Sequence, residues 1–144
     1  MLRLRKSTVE AILSWASRHH EVEVCGLVWG HSESDRGETV YPLRNMHPDP
    51  ARYYRTSPKD IREAFDAMDR EDGYPLAWYH SHPSGKPDPS ETDMQGAFDT
   101  DMYYLIAYPH TWEVVSGQAT EWQLSVWECL EPGLLVGVDY EVIS

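Results

Sequence analysis

Four strand-like runs close this chain with no room for a helix between them: MYYLIAYP (102–109), WEVVSG (112–117), EWQLSVWE (121–128) and LLVGVDYEVI (134–143). Each is rich in the β-branched and aromatic residues that suit a pleated surface. Parallel neighbours need a crossover of a dozen or more residues, whereas the gaps here are two to five. The second half is therefore expected to pair mainly antiparallel, and a doubly wound parallel α/β fold fits it poorly.

The first half supplies the helices. In STVEAILSWASRHH, Ser7 and Glu10 stand at capping-box spacing, and Val9, Ile12, Leu13 and Ala16 form an apolar stripe. VEVCGLVWG (22–30) reads as a strand, HSESDRG (31–37) as a polar turn, ETVYPLRN (38–45) as a strand with Pro42 at an edge or bulge, and RYYRT (52–56) as a short strand. SPKDIREAFDAMDRED opens on Ser57 as N-cap with Pro58 in the first helical position. PLAWYHSH (75–82) is the next strand, and PSETDMQGAFD begins a further helix with Ser90 and Asp93 at capping-box spacing. The expectation is a mixed α+β domain spanning 1–144 as one unit, with a mostly antiparallel sheet flanked by helices.

A formal charge of −12 argues against a nucleic-acid partner, which normally meets a basic surface. No run of 18 apolar residues occurs, so no membrane span is expected. Cys25 and Cys129 form no CxxC pair, and no signal peptide is read at the start, so a reducing, cytoplasmic setting is expected.

The chemistry concentrates in WYHSHPSGKPDPSETD (78–93). His80 and His82 are two apart on a strand, so both leave one face about 7 Å apart along the backbone. Pro83 and Gly85 end the strand, and the helix opened by Ser90 can return Asp93 toward the imidazoles. Two histidines and one carboxylate leave a fourth position open, the pattern of a catalytic zinc rather than a structural one. Helix capping alone explains Ser90 and Asp93, but it does not explain two same-face histidines beside them. His19, His20, His31, His47 and His110 fit no ligand spacing.

Peptide hydrolysis at such a centre also needs a group that takes a proton from the attacking water and passes it to the leaving amine. Glu21 and Glu23 stand at the head of the apolar strand, and Glu23 lies deeper against it.

These residues together resemble the JAMM, or MPN-positive (JAB), metalloprotease family. Its pattern is an early glutamate, then His-x-His, seven residues, Ser, two residues and Asp. Here that is Glu23, His80-Ser81-His82, PSGKPDP, Ser90, Glu91-Thr92 and Asp93. EVCGLVWG also resembles the family's Glu-x-Cys-Gly-Leu strand, which selects Glu23 over Glu21. The resemblance implies a cytidine-deaminase-like JAMM/MPN fold, one Zn²⁺ per chain on His80, His82 and Asp93, and Glu23 as general acid/base. It implies Ser90 as a donor to the oxyanion and Cys25 as a buried structural thiol. The implied substrate is an amide or isopeptide bond after the Gly-Gly tail of a ubiquitin-like or sulfur-carrier protein. The chain lacks the cysteine-bearing insertion of linkage-specific deubiquitinases, which favours a prokaryotic or phage-type member. A RadC-like protein, a phage tail-assembly peptidase and a non-catalytic MPN scaffold are the alternatives. Trp29 and Trp78 are candidates to line the approach to the metal, and the aromatic, kinked stretch NMHPDPARYYR (45–55) is a candidate to cover an incoming extended tail.

Overall fold

A computed structural model describes residues 1–31, 36–113 and 118–144. Leu2–Arg5 forms β1 and runs straight into α1, Lys6–Arg18. Leu2 and Leu4 are buried while Arg3 and Arg5 point outward, the alternation of a strand with one covered face. This strand was not expected, and it removes the Ser7–Glu10 capping box. The helix starts at Lys6 with Arg5 at its N-cap and no side-chain cap bond, so Ser7 already lies within the first turn.

The main sheet contains β2 (Cys25–Gly30), β4 (Thr39–Leu43), β5 (Tyr74–Ser81), β6 (Tyr103–Glu113), β7 (Gln118–Glu131) and β8 (Leu134–Val138). Their order is β4-β2-β5-β6-β7-β8, and of these pairings only β5 with β6 is parallel. A smaller parallel sheet joins β3 (Arg36–Gly37), β1 and β9 (Tyr140–Ile143). The fold is the expected α+β class with a mostly antiparallel sheet. Pro42 sits on β4, an edge strand, where its missing N–H costs no ladder bond.

Four local readings change. The stretch 52–56 is loop and not strand. The runs 102–109 and 112–117 merge, because β6 continues through irregularities around Pro109 and Thr111 to Glu113. The remainder of the second run (114–117) lies outside the described residues, as do 32–35 of the expected turn. The run 134–143 breaks between Val138 and Tyr140, and its second part leaves the main sheet to pair with β1. The helix after Ser90, α3, is only Glu91–Gln95.

Alternation along the strands sorts the core into two layers. Val28, Ala77, Tyr79, Leu105, Leu124 and Val126 face α1 and its Ile12 and Ala16. Cys25, Leu27 and Trp29 face the opposite way, against Ala64 and Met68 of α2 (Pro58–Arg70). Each of the valines, leucines and Ile12 among them contributes about 1.5–3 kcal/mol on full burial. Gly26 is needed where it stands, since a Cβ there would fall 2.3 Å from the Tyr79 ring. As expected, α2 is capped by Ser57, which accepts the Asp60 N–H at 3.1 Å. On β5 the parity places Ala77, Tyr79 and Ser81 toward α1, and Trp78 and His80 toward the α2 side.

Candidate metal centre

β5 is paired on both sides, so its C-terminal end is a rigid platform. His80 is opposite Cys25 on β2 and Ile106 on β6, and the His82 N–H continues the ladder to the Ala107 carbonyl at 2.8 Å. Both imidazoles are buried. Their Nε2 atoms are 3.1 Å apart, and Asp93 Oδ2 lies 3.1 Å from His80 Nε2 and 2.8 Å from His82 Nε2. The two histidines and Asp93 therefore meet at one point, as the spacing predicted.

The donor set calls for a cation. His82 Nδ1 is 2.8 Å from the Lys86 carbonyl, which can only accept, so Nδ1 carries the proton. In neutral His82 the Nε2 lone pair then faces a carboxylate oxygen and a second imidazole nitrogen. One divalent ion would satisfy all three atoms at once. Tetrahedral zinc bonds of about 2.0–2.1 Å imply ligand spacings of about 3.3–3.4 Å, close to the triangle seen here. The residues present fit the ion.

Asp93 is held for this task by the start of α3. Its Oδ2 accepts the Ser90 N–H at 2.9 Å, and its own N–H donates to Ser90 Oγ at 3.0 Å, which completes the capping box. The oxygen that faces the histidines is thus also the capping oxygen. Ser90 Oγ accepts from Asp93 and keeps its hydroxyl proton free to donate elsewhere. Burial works against the Asp93 charge; protonated His80 and His82 rings would donate to it and hold the carboxyl well below the usual carboxylate range, a role that a cation takes over when the rings are neutral ligands. Burial also lowers the His80 pKa, which keeps its ring neutral, as a ligand must be.

Glu23 offers a carboxylate oxygen within 4.8 Å of both histidine nitrogens. It sits two residues ahead of β2 rather than on the strand. Its position is fixed through neighbouring main chain. The Ser81 N–H donates to the Val24 carbonyl at 3.0 Å, and the Val24 N–H donates to Ser81 Oγ at 2.8 Å. The residue between the two histidines therefore ties Glu23's segment to theirs, a role that a variable position in a motif does not announce. Burial, with the Asp93 charge second, pushes the Glu23 carboxyl up to about 9. Glu21, the other candidate, is exposed. Cys25 is buried, and burial beside Glu23 pushes its thiol up to about 12, so it is no nucleophile.

One further feature, the anchoring of the 45–55 stretch, escaped the sequence. Asn45 closes the 45–55 stretch: its Oδ1 accepts from the N–H groups of His47 (3.0 Å) and Arg55 (3.2 Å). Its Nδ2 donates to the carbonyls of Glu23 and Tyr53, each at 2.9 Å. The Glu23 N–H reaches the Pro50 carbonyl of the same loop at 2.7 Å. Tyr54 from this loop lies over His80. Tyr53, Tyr54 and Arg55 then line a cleft of about 350 Å³ that Trp78 and Asp93 also border. Trp29 is elsewhere, buried in the core with its indole N–H on Glu71 at 2.9 Å.

The family model described as prokaryotic homologs of the JAB domain matches residues 5–127. The chain belongs to this family. It is a hydrolase of the JAMM type, and several of its relatives are named for the cleavage they perform. A CysO-cysteine peptidase of Mycobacterium tuberculosis is 32% identical over 136 residues, 89% of this chain and 92% of that protein. A probable TtuB-protein conjugate cleaving protease of Thermus thermophilus is 35% identical over 97 residues, 67% of this chain and 64% of that one. A desampylase of Haloferax volcanii is 31% identical over 87 residues, 60% and 63% of the two chains. Among solved structures, a protein from Desulfitobacterium hafniense superimposes with a TM-score of 0.80 at 25% identity, covering 99% of this chain and 93% of that one. A JAMM structure described as a metalloprotease-like zinc site in the proteasome and signalosome gives a TM-score of 0.59 at 19% identity, over 100% and 99% of the chains. At that identity the likeness speaks for the fold.

Proposed function

We propose that this chain is a zinc-dependent peptidase or isopeptidase that hydrolyses the amide bond following the Gly-Gly tail of a ubiquitin-like or sulfur-carrier protein. One zinc per chain would be held by His80, His82 and Asp93, and residues 1–144 would act as one unit. The observation that carries this is the meeting of His80 Nε2, His82 Nε2 and Asp93 Oδ2, 2.8–3.1 Å apart, beside a buried glutamate. The names of the Mycobacterium, Thermus and Haloferax relatives support the substrate class.

When bound, zinc would supply Lewis acidity, lowering the pKa of a water to about 7 and polarising the scissile carbonyl. The remaining work belongs to the chain. Glu23, adjacent to the histidines but outside the Asp93 capping box, takes the proton of the attacking water and returns it to the leaving amine. Ser90 donates its free hydroxyl proton to the oxygen on which charge develops. The Lys86 carbonyl holds the His82 tautomer, and the buried histidines keep bulk water away from the ligands. Buried free thiols at Cys25 and Cys129 fit a cytoplasmic setting. Among the described residues no helix is long and apolar enough to cross a membrane.

Metal analysis combined with a peptidase assay tests this reading. Wild type should carry one zinc, His82→Ala should lose most of it, and Glu23→Gln should keep it while losing hydrolysis by roughly a hundredfold or more. Equal zinc in wild type and His82→Ala would refute the ligand set, and loss of zinc in Glu23→Gln would make Glu23 a ligand.

A further inference from the structure

The seven residues between His82 and Ser90 carry no ligand, yet they set where Asp93 arrives. They are not held by the motif alone. Ser125 on β7 pairs with Ile106, which pairs with His80, so the three residues stand side by side on one face of the sheet. The segment leaves the end of β5, and its Pro87 carbonyl accepts a hydrogen bond from Ser125 Oγ at 2.7 Å. The other acceptor near this hydroxyl, the Ile106 carbonyl, is 3.5 Å away, so the single proton goes to Pro87. Trp127 Nε1–H donates to the same Ser125 oxygen at 2.9 Å, which orients the hydroxyl and leaves its proton directed at the loop. One residue earlier, the Lys86 carbonyl receives the His82 Nδ1 proton at 2.8 Å.

We infer that Ser125, oriented by Trp127, is a positioning residue for the metal centre. It anchors the middle of the spacer and so fixes the Lys86 carbonyl that aims the His82 ring. The chain of bonds runs from the Trp127 indole to the Ser125 hydroxyl, to the Pro87 carbonyl, and through one peptide unit to Lys86 and His82. Neither Ser125 nor Trp127 belongs to the Glu, His-x-His, Ser, Asp pattern, and neither approaches the ligand atoms. Partners of this kind are worth about ten- to a hundredfold in metal affinity. This inference rests on the metal reading of His80, His82 and Asp93.

The test compares Ser125→Thr with Ser125→Val, which have nearly the same shape and differ in the hydroxyl. Zinc affinity is measured by competition with a chromophoric chelator, alongside the visible spectrum of the cobalt-loaded protein and the melting temperature of the metal-free form. Ser125→Thr should bind zinc within about threefold of wild type. Ser125→Val should bind about ten- to a hundredfold more weakly with an altered cobalt spectrum, while both melt alike without metal. Equal zinc affinity and equal cobalt spectra for the two variants would overturn the inference and leave the metal site standing. A wild type that binds no zinc would overturn the metal reading and this inference with it.

Discussion

Tyr54 lies almost flat on His80, with ring centroids 4.5 Å apart and planes 25° from parallel. A loop residue thus braces the imidazole of a proposed metal ligand. Removing the phenol oxygen should change little, because the stack is made by the ring. Tyr54→Phe should keep wild-type zinc affinity, and Tyr54→Ala should lose roughly tenfold, read by chelator competition. Equal affinity in both variants would show that β5 holds His80 unaided.

Ser90 caps α3, and the proposed mechanism also makes it the oxyanion donor. Ser90→Ala should cost about 1 kcal/mol of stability through the lost cap. It should lower kcat by about a hundredfold or more through the lost donor. The two effects separate in a comparison of thermal unfolding with steady-state kinetics. A drop in stability with unchanged kcat would limit Ser90 to capping.

Glu23 gives a pH prediction for the metal-free protein. Its carboxyl is raised from 4.5 to about 9 by burial and then by the Asp93 charge. The folded state therefore holds a proton that the unfolded chain releases. The associated stability is complete below pH 4.5 and is lost as pH rises through 9. Glu23→Gln has nothing to lose across that range. Without metal it should melt higher than wild type at pH 8, with the gap closing toward pH 4. A constant gap across the range would contradict a buried, neutral Glu23.

Asn45 joins the cleft wall to the Glu23 main chain, so the two should loosen together. Asn45→Ala should speed amide exchange over residues 46–55 and reduce kcat by roughly ten- to a hundredfold while zinc stays bound. Fast exchange with unchanged kcat would mean that Ser81 positions Glu23 alone.

Much of this site was legible because its residues are local. His80 and His82 share a face by strand parity, and Asp93 follows Ser90 in a helix start that has a sequence signature. Glu23 was distinguished from Glu21 through the family resemblance, and burial agrees. What stayed hidden depends on distant partners. Nothing in RYYRT distinguishes a strand from a loop pinned by Asn45, because the hydrogen bonds that decide it join Asn45 to His47 at one end of the loop and to Tyr53 and Arg55 at the other. LRLR shows the alternation of a strand, but its partners are β3 and, from the far end of the chain, β9. The Ser7–Glu10 spacing misled because β1 feeds directly into the helix. Ser81 and Ser125 look like ordinary strand polar residues until the chains they hold are seen.

The proposed reaction is hydrolysis after a Gly-Gly tail at a zinc centre. Glycine lets an extended tail approach a narrow site and pair through its backbone without side-chain clashes. The direct measurement is the intact mass of the products when the zinc-loaded protein meets a ubiquitin-like protein whose Gly-Gly end is followed by a short extension, beside a Val-Val version. The expected result is a product ending in Gly-Gly, its loss when the metal is chelated, and resistance of the Val-Val form. Equal cutting of both tails, or cutting unaffected by chelation, would contradict it.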